Sequence, residues 1–211
     1  MHPPNLGEAL QHYKTQGDKQ RDQGGLYSGN RHQTRSTSAN QCIIRPMDYQ
    51  ACCQAEMDTR ADTICAGKTF IMLEDTGRVC DVRGFHGQFE PLKGIPITTC
   101  TMAYDYAKLQ ETLILMFYEC LYFGGDMENS HICPNQLHDN EVTVDLCPKQ
   151  YSHRKSLHGI HIPKEDIILP LELFGCISYL PSQLLTLQEL MGCHYIYLTK
   201  EKRVGSIFIL L

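Results

Sequence analysis

Nothing in this 211-residue chain is apolar over a length that spans a bilayer. The C-terminal run Ile207-Phe208-Ile209-Leu210-Leu211 falls far short of the roughly 20 residues a membrane helix needs. The polar N-terminus holds no apolar core of signal-peptide length, so the expectation is a soluble, cytoplasmic protein without membrane partners. A basic excess is missing too. With 19 Lys and Arg against 24 Asp and Glu, the net charge is −5 and both signs are mixed along the chain. That pattern offers no clustered basic face, and direct contact with nucleic acid is not expected. The phosphate-cradling Gly-x-x-x-x-Gly-Lys loop and the dinucleotide fingerprint are absent. Zinc-knuckle spacing and internal repeats are absent as well. Large aliphatic side chains are almost missing from the start of the chain, where Leu26 is the only one between Gln11 and Gln41. Such a segment cannot offset the entropy of ordering it, so residues 1–50 are expected to form a disordered polar linker.

Eleven cysteines are present, an odd count in a chain without a secretory signal, and they read as reduced thiols rather than a disulfide framework. The remainder is β-patterned. Ala55-Glu56-Met57, Phe70-Ile71-Met72-Leu73, Val79-Cys80-Asp81-Val82 and Gly94 to Cys100 each suit a strand, with glycines at 77, 84, 87 and 94 read as hairpin turns between them. Thr112 to Phe117 is a continuous apolar run fit for a sheet buried on both faces, and Cys120 to Gly124 supplies a separate strand. Ile132 to Leu137 suits a short helix or turn capped by Asn129 or Ser130. Further strands are expected at 141–145, 161–163, 167–171 and 175–180, and a helix over 184–190 with Thr186 as cap and Glu189 three residues on.

Asp58-Thr59-Arg60-Ala61-Asp62-Thr63 follows the first strand. An Asp-Thr-x-Ala turn at a strand end presents a carboxylate, and it also serves widely as a plain turn or helix cap. Three segments occur in order: this turn, then Leu121-Tyr122-Phe123-Gly124, then Asn129-Ser130-His131-Ile132-Cys133-Pro134-Asn135-Gln136-Leu137. In that order and spacing the chain resembles the protease region of copia-type retrotransposon polyproteins, over roughly residues 55–140 and by colinear order to about 199.

The resemblance implies a mainly β, retropepsin-like acid-protease barrel with a short helix, followed by a small β-rich C-terminal extension. The implied organisation is a linker at 1–50, a protease domain at 51–140, an extension or spacer at 141–199 and an unassigned tail at 200–211. It implies aspartic endopeptidase chemistry, with Asp58 as catalytic acid/base and Thr59 as the hydroxyl that rigidifies the dyad. Gly84, Phe85, His86 and Gly87 would form the flap tip over a peptide from the element's own polyprotein. Because only one Asp-Thr-x-Ala turn is present, the second Asp would come from a homodimer partner, within the cytoplasm or in virus-like particles. No cofactor and no metal are implied. The geometry this requires is that strand 55–57 meets the 121–123 strand beside the Asp58 turn.

Arg60 departs from the family, which has Gly there. A guanidinium within about 4–6 Å of the carboxylates would favour their ionised form and oppose a shared proton, whereas one directed to solvent would do little. Two rival readings stand beside the peptidase. One is a catalytically inactive β-rich remnant or interaction module. The other is a Cys/His metal module using His153, His158, His161, Cys147 and Cys176, which lack the close paired spacing of zinc sites. Asp62 reads as a solvated or capping residue.

Overall fold

The computed structural model describes residues 54–83, 90–152 and 155–201. The expected linker, the flap-tip residues Gly84 to Gly87 and nearly all of the expected tail lie outside the described residues. What is described is mainly β, with twelve strands and two short α-helices. The strands are β1 (Gln54–Met57), β2 (Cys65–Gly67), β3 (Ile71–Val82), β4 (Leu92–Tyr106), β5 (Glu111–Gly124), β6 (Ser130–Ile132), β7 (Thr143–Asp145), β8 (Gly159–Ile162), β9 (Ile167–Pro170), β10 (Glu172–Phe174), β11 (Ile177–Pro181) and β12 (His194–Tyr197). Helix α1 spans Pro134–His138 and α2 spans Leu187–Gly192, with a single 3-10 turn at Lys149–Tyr151.

The main sheet runs β10-β11-β1-β6-β2-β5-β4-β3, and β7-β8-β9 form a small separate sheet. Strand β5 is the spine. Its 113–116 half pairs in parallel with β12, its 121–124 half pairs in parallel with β2, and β4 runs antiparallel along its other side. The unbroken apolar run follows from burial on both faces. Leu113, Leu115 and Phe117 enter the larger core with Ile64, Phe70 and Met102. Ile114 and Met116 enter a smaller one closed by Leu185 and Leu190.

Several expected boundaries change. The segments 70–73 and 79–82 are one strand, because Gly77 (φ +71°) sits in a bulge between Asp75 and Arg78 rather than in a hairpin turn. Gly94 likewise lies within β4, and the 112–117 and 120–124 segments are one strand bent near Glu119, whose φ is +58°. Ser130 to Ile132 form a strand instead of a cap and first helical turn, since they pair in parallel with Ala55 to Met57. The helix begins at Pro134 after an N-cap, Cys133, that makes no side-chain bond. Pro at the first helical position supplies the start instead, as its missing N–H costs nothing there. At α2 the expected Thr186–Glu189 capping box is formed.

The segment beyond 140 is joined to the strands before it. Gln54 to Glu56 pair with Tyr179 to Pro181 of β11, and β12 pairs with β5.

Candidate functional site

The turn after β1 is held by backbone groups on both flanks. The Asp58 N–H donates to Ile132 O at 3.0 Å, continuing the β1–β6 pairing by one residue. The Arg60 N–H donates to Asp58 Oδ1 at 2.8 Å, so the carboxylate closes its own turn. This N–H is the group a Gly would also provide, and the Arg60 side chain is exposed. Thr59 and Asp62 are exposed as well, while Ala61 packs on the main core. The far end of the loop is anchored at Ile64, fully buried, whose carbonyl accepts from Leu121 N–H at 2.9 Å.

Strand β1 and the 121–124 segment do not pair with each other. β6 and β2 lie between them, so the expected meeting beside the Asp58 turn does not occur: the short β6 and β2 strands take the places between, and the segment after the turn reaches β5 only at the Ile64–Leu121 bond. In β6, beside β1, Ser130 and Ile132 are buried and His131, on the other face of the sheet, is partly buried.

Two side chains brace this arrangement in roles the sequence does not announce: there Ser130 reads as a candidate helix cap, and Gln136 has no assigned role. Gln136, on α1, accepts from the Ile64 N–H at 2.9 Å and lies 3.2 Å from the Thr63 hydroxyl. Its amide donates to Tyr118 O at 2.9 Å and Glu119 O at 3.3 Å. Ser130, fully buried, accepts from the Gly67 N–H at 3.0 Å and shares a hydrogen bond with Thr69 at 2.7 Å. Gly67 is required at that crossing, since a Cβ there would stand 2.4 Å from Met127 O.

Strand alternation sets Ala55 and Met57 into the core and leaves Glu56 and Asp58 on the opposite face. Across the sheet, Tyr179, Glu56, His131 and Cys65 occupy one cross-strand row. His131 Nδ1 lies 3.8 Å from Asp58 Oδ2, too far for a hydrogen bond, and that buried nitrogen has no hydrogen-bond partner. Asp58 keeps 32% of its side chain exposed. Burial raises the pKa of the Glu56 carboxyl; His131 counteracts this and Asp58 adds to it. Burial, with smaller contributions from Asp58, Cys133 and Cys80, pushes the Cys65 thiol up to about 11. Cys65 is therefore a protonated thiol at neutral pH and a poor nucleophile. The signal for Glu56 and His131 was present as period-two alternation in 55–57 and 130–132, but only pairing shows that the two strands are neighbours.

Other clusters do different work. His158 is buried, shares a hydrogen bond with Ser178 at 3.0 Å, and has its pKa lowered mainly by desolvation. Cys147 and Cys176 are exposed, and His153 lies outside the described residues. Among the described residues no three His, Cys, Asp or Glu side chains are grouped to hold a metal ion. Two cavities of about 290 Å³ each lie elsewhere, one beside Tyr104, Tyr106 and Lys108 and the other beside His158 and Leu171. No helix among the described residues is long and apolar enough to cross a membrane. Comparison with protein-family models, with curated proteins and with solved structures finds no match for this chain.

Proposed function

We propose that this chain is the retropepsin-like aspartic endopeptidase region of a copia-like retrotransposon polyprotein, acting on that polyprotein as a homodimer. The observation that carries the proposal is the Asp58 turn. A partly exposed carboxylate sits at a strand end, fixed by the Arg60 N–H and by the Asp58–Ile132 bond. An open carboxylate of this kind suits a site completed by a second copy. Two Asp58 side chains across a two-fold axis share one proton. One activates water for attack on the peptide carbonyl while the other hydrogen-bonds the carbonyl oxygen, and the proton passes to the leaving amine. Exposed Thr59 is free to reach the opposite copy, and Gly84 to Gly87 would cover the peptide. The exposure of Arg60 favours this reading, because a solvated guanidinium acts weakly on the dyad.

A second reading, a catalytically inactive β-rich remnant or interaction module, is favoured by one contact. His131 Nδ1 lies 3.8 Å from one Asp58 oxygen, so the ring crowds an oxygen that the shared-proton dyad needs. The deciding experiment incubates the purified chain and its Asp58→Asn variant with the polyprotein. Cleavage by the parent and none by the variant is expected, alongside a dimer in sedimentation. Equal cleavage by both removes Asp58 from the mechanism, and no cleavage by a dimeric parent favours the remnant.

A further inference from the structure

Glu56 is a carboxylate on the same sheet face as Asp58, two residues before it, and it is only half exposed. The Lys and Arg ion pairs among the described residues join Lys68 to Glu128, Arg78 to Glu119 and Lys164 to Glu141, so no Lys or Arg neutralises Glu56. Burial is the main influence on this carboxyl, and His131 and Asp58 act on it in opposite directions. Beside it, His131 Nδ1 is buried with no hydrogen-bond partner. In this cross-strand row one buried imidazole nitrogen is therefore without a hydrogen-bond partner, and the partly buried carboxylate next to it has no Lys or Arg partner among the described residues, on the face where a substrate would lie. Desolvating a charge without a partner is costly, and a site that does so is poised to gain from a ligand that supplies one.

An extended peptide crossing that face directs alternate side chains onto it. We propose, resting on the peptidase reading, that Glu56 with His131 is a specificity determinant that receives a Lys or Arg side chain adjacent to the bond being cut. A cationic N–H group donates to the Glu56 carboxylate and carries spare donors toward the imidazole nitrogen. A purely apolar side chain would bury both groups further and satisfy neither. Tyr179 and Cys65 bound the row on either side, supplying a wall for the aliphatic stem of such a residue.

The test is binding, kept separate from turnover. Octapeptide pools carry a non-cleavable hydroxyethylene unit in place of the central peptide bond. The side chain on one or other side of that unit is fixed as that of Lys or of norleucine. Calorimetry with the full chain is expected to show about tenfold tighter binding of the Lys pool at one of the two positions, the range of a charge-assisted hydrogen bond. The preference is expected to vanish in Glu56→Gln and to persist in Glu56→Asp. Equal affinity for Lys and norleucine pools at both positions overturns the inference, as does a Lys preference that survives Glu56→Gln, or no binding at millimolar concentration. Cleavage that is indifferent to Asp58→Asn strikes the peptidase reading instead, and leaves the binding comparison to be judged by its own result.

Discussion

Replacing Gln136 by Ala removes the brace between the Asp58 loop and β5, and the cost can be built up bond by bond. The Ile64 N–H loses its acceptor at 2.9 Å inside a fully buried residue. A buried donor left unsatisfied costs about 1–3 kcal/mol. Tyr118 O and Glu119 O lose the amide of Gln136 but keep the hydroxyls of Thr199 and Thr63, at 3.1 and 3.0 Å, so each contributes less. The sum is about 2–3 kcal/mol, which for an ordered region of this size lowers Tm by roughly 5–10 °C. Urea unfolding at unchanged m is the measurement, with amide exchange at Ile64 locating the damage in the loop. Gln136→Glu sharpens the test. Its carboxylate still accepts from Ile64 but faces two carbonyl oxygens with nothing to donate, so this variant is expected to be less stable at neutral pH than in mild acid, where protonation restores one donor. A loss below about 1 kcal/mol for Gln136→Ala would refute the idea that this side chain fixes the loop.

Gly67→Ala is expected to cost about 1–3 kcal/mol by denaturant titration, because the new Cβ meets the Met127 carbonyl at 2.4 Å and backbone must shift. Glu56→Gln is expected to raise Tm at pH 7 and leave it nearly unchanged near pH 4. The carboxyl pKa is raised on folding, so the folded state holds the proton more tightly, and the parent loses stability as pH rises from the ordinary glutamate range through the elevated value. A stabilisation that is equal at both pH values would exclude charge burial as its cause.

How far the sequence reveals this molecule depends on the distance over which each feature is encoded. Strand content is written in local alternation and apolar runs, and the Thr186–Glu189 box is written in two residues, so both are legible in the chain. Bulges are not. Gly77 and Gly94 carry the composition of turns, yet the bonds between β3 and β4 hold them inside continuous strands, a tertiary outcome that overrides local preference. The Asp58 turn is legible as a motif, but its neighbours are not. Glu56 and His131 are separated by some seventy residues and meet only because β6 lies parallel to β1. Parallel pairing across a long connection leaves no short-range mark, which is why Gln136, Ser130 and His131 become visible as site residues only once the sheet order is known.

The antiparallel seam between Gln54–Glu56 and Tyr179–Pro181 limits where this chain can be divided. A fragment ending near residue 140 would leave the outer flank of β1 and half of β5 with bare N–H and C=O groups, an adhesive border that recruits other chains. The attachment to β5 extends past β12, since the Leu198 N–H donates to Met116 O and the Thr199 hydroxyl to Tyr118 O, so the border stays covered only in a chain that runs through Thr199. A product trimmed earlier is expected to precipitate rather than to persist as a smaller folded unit.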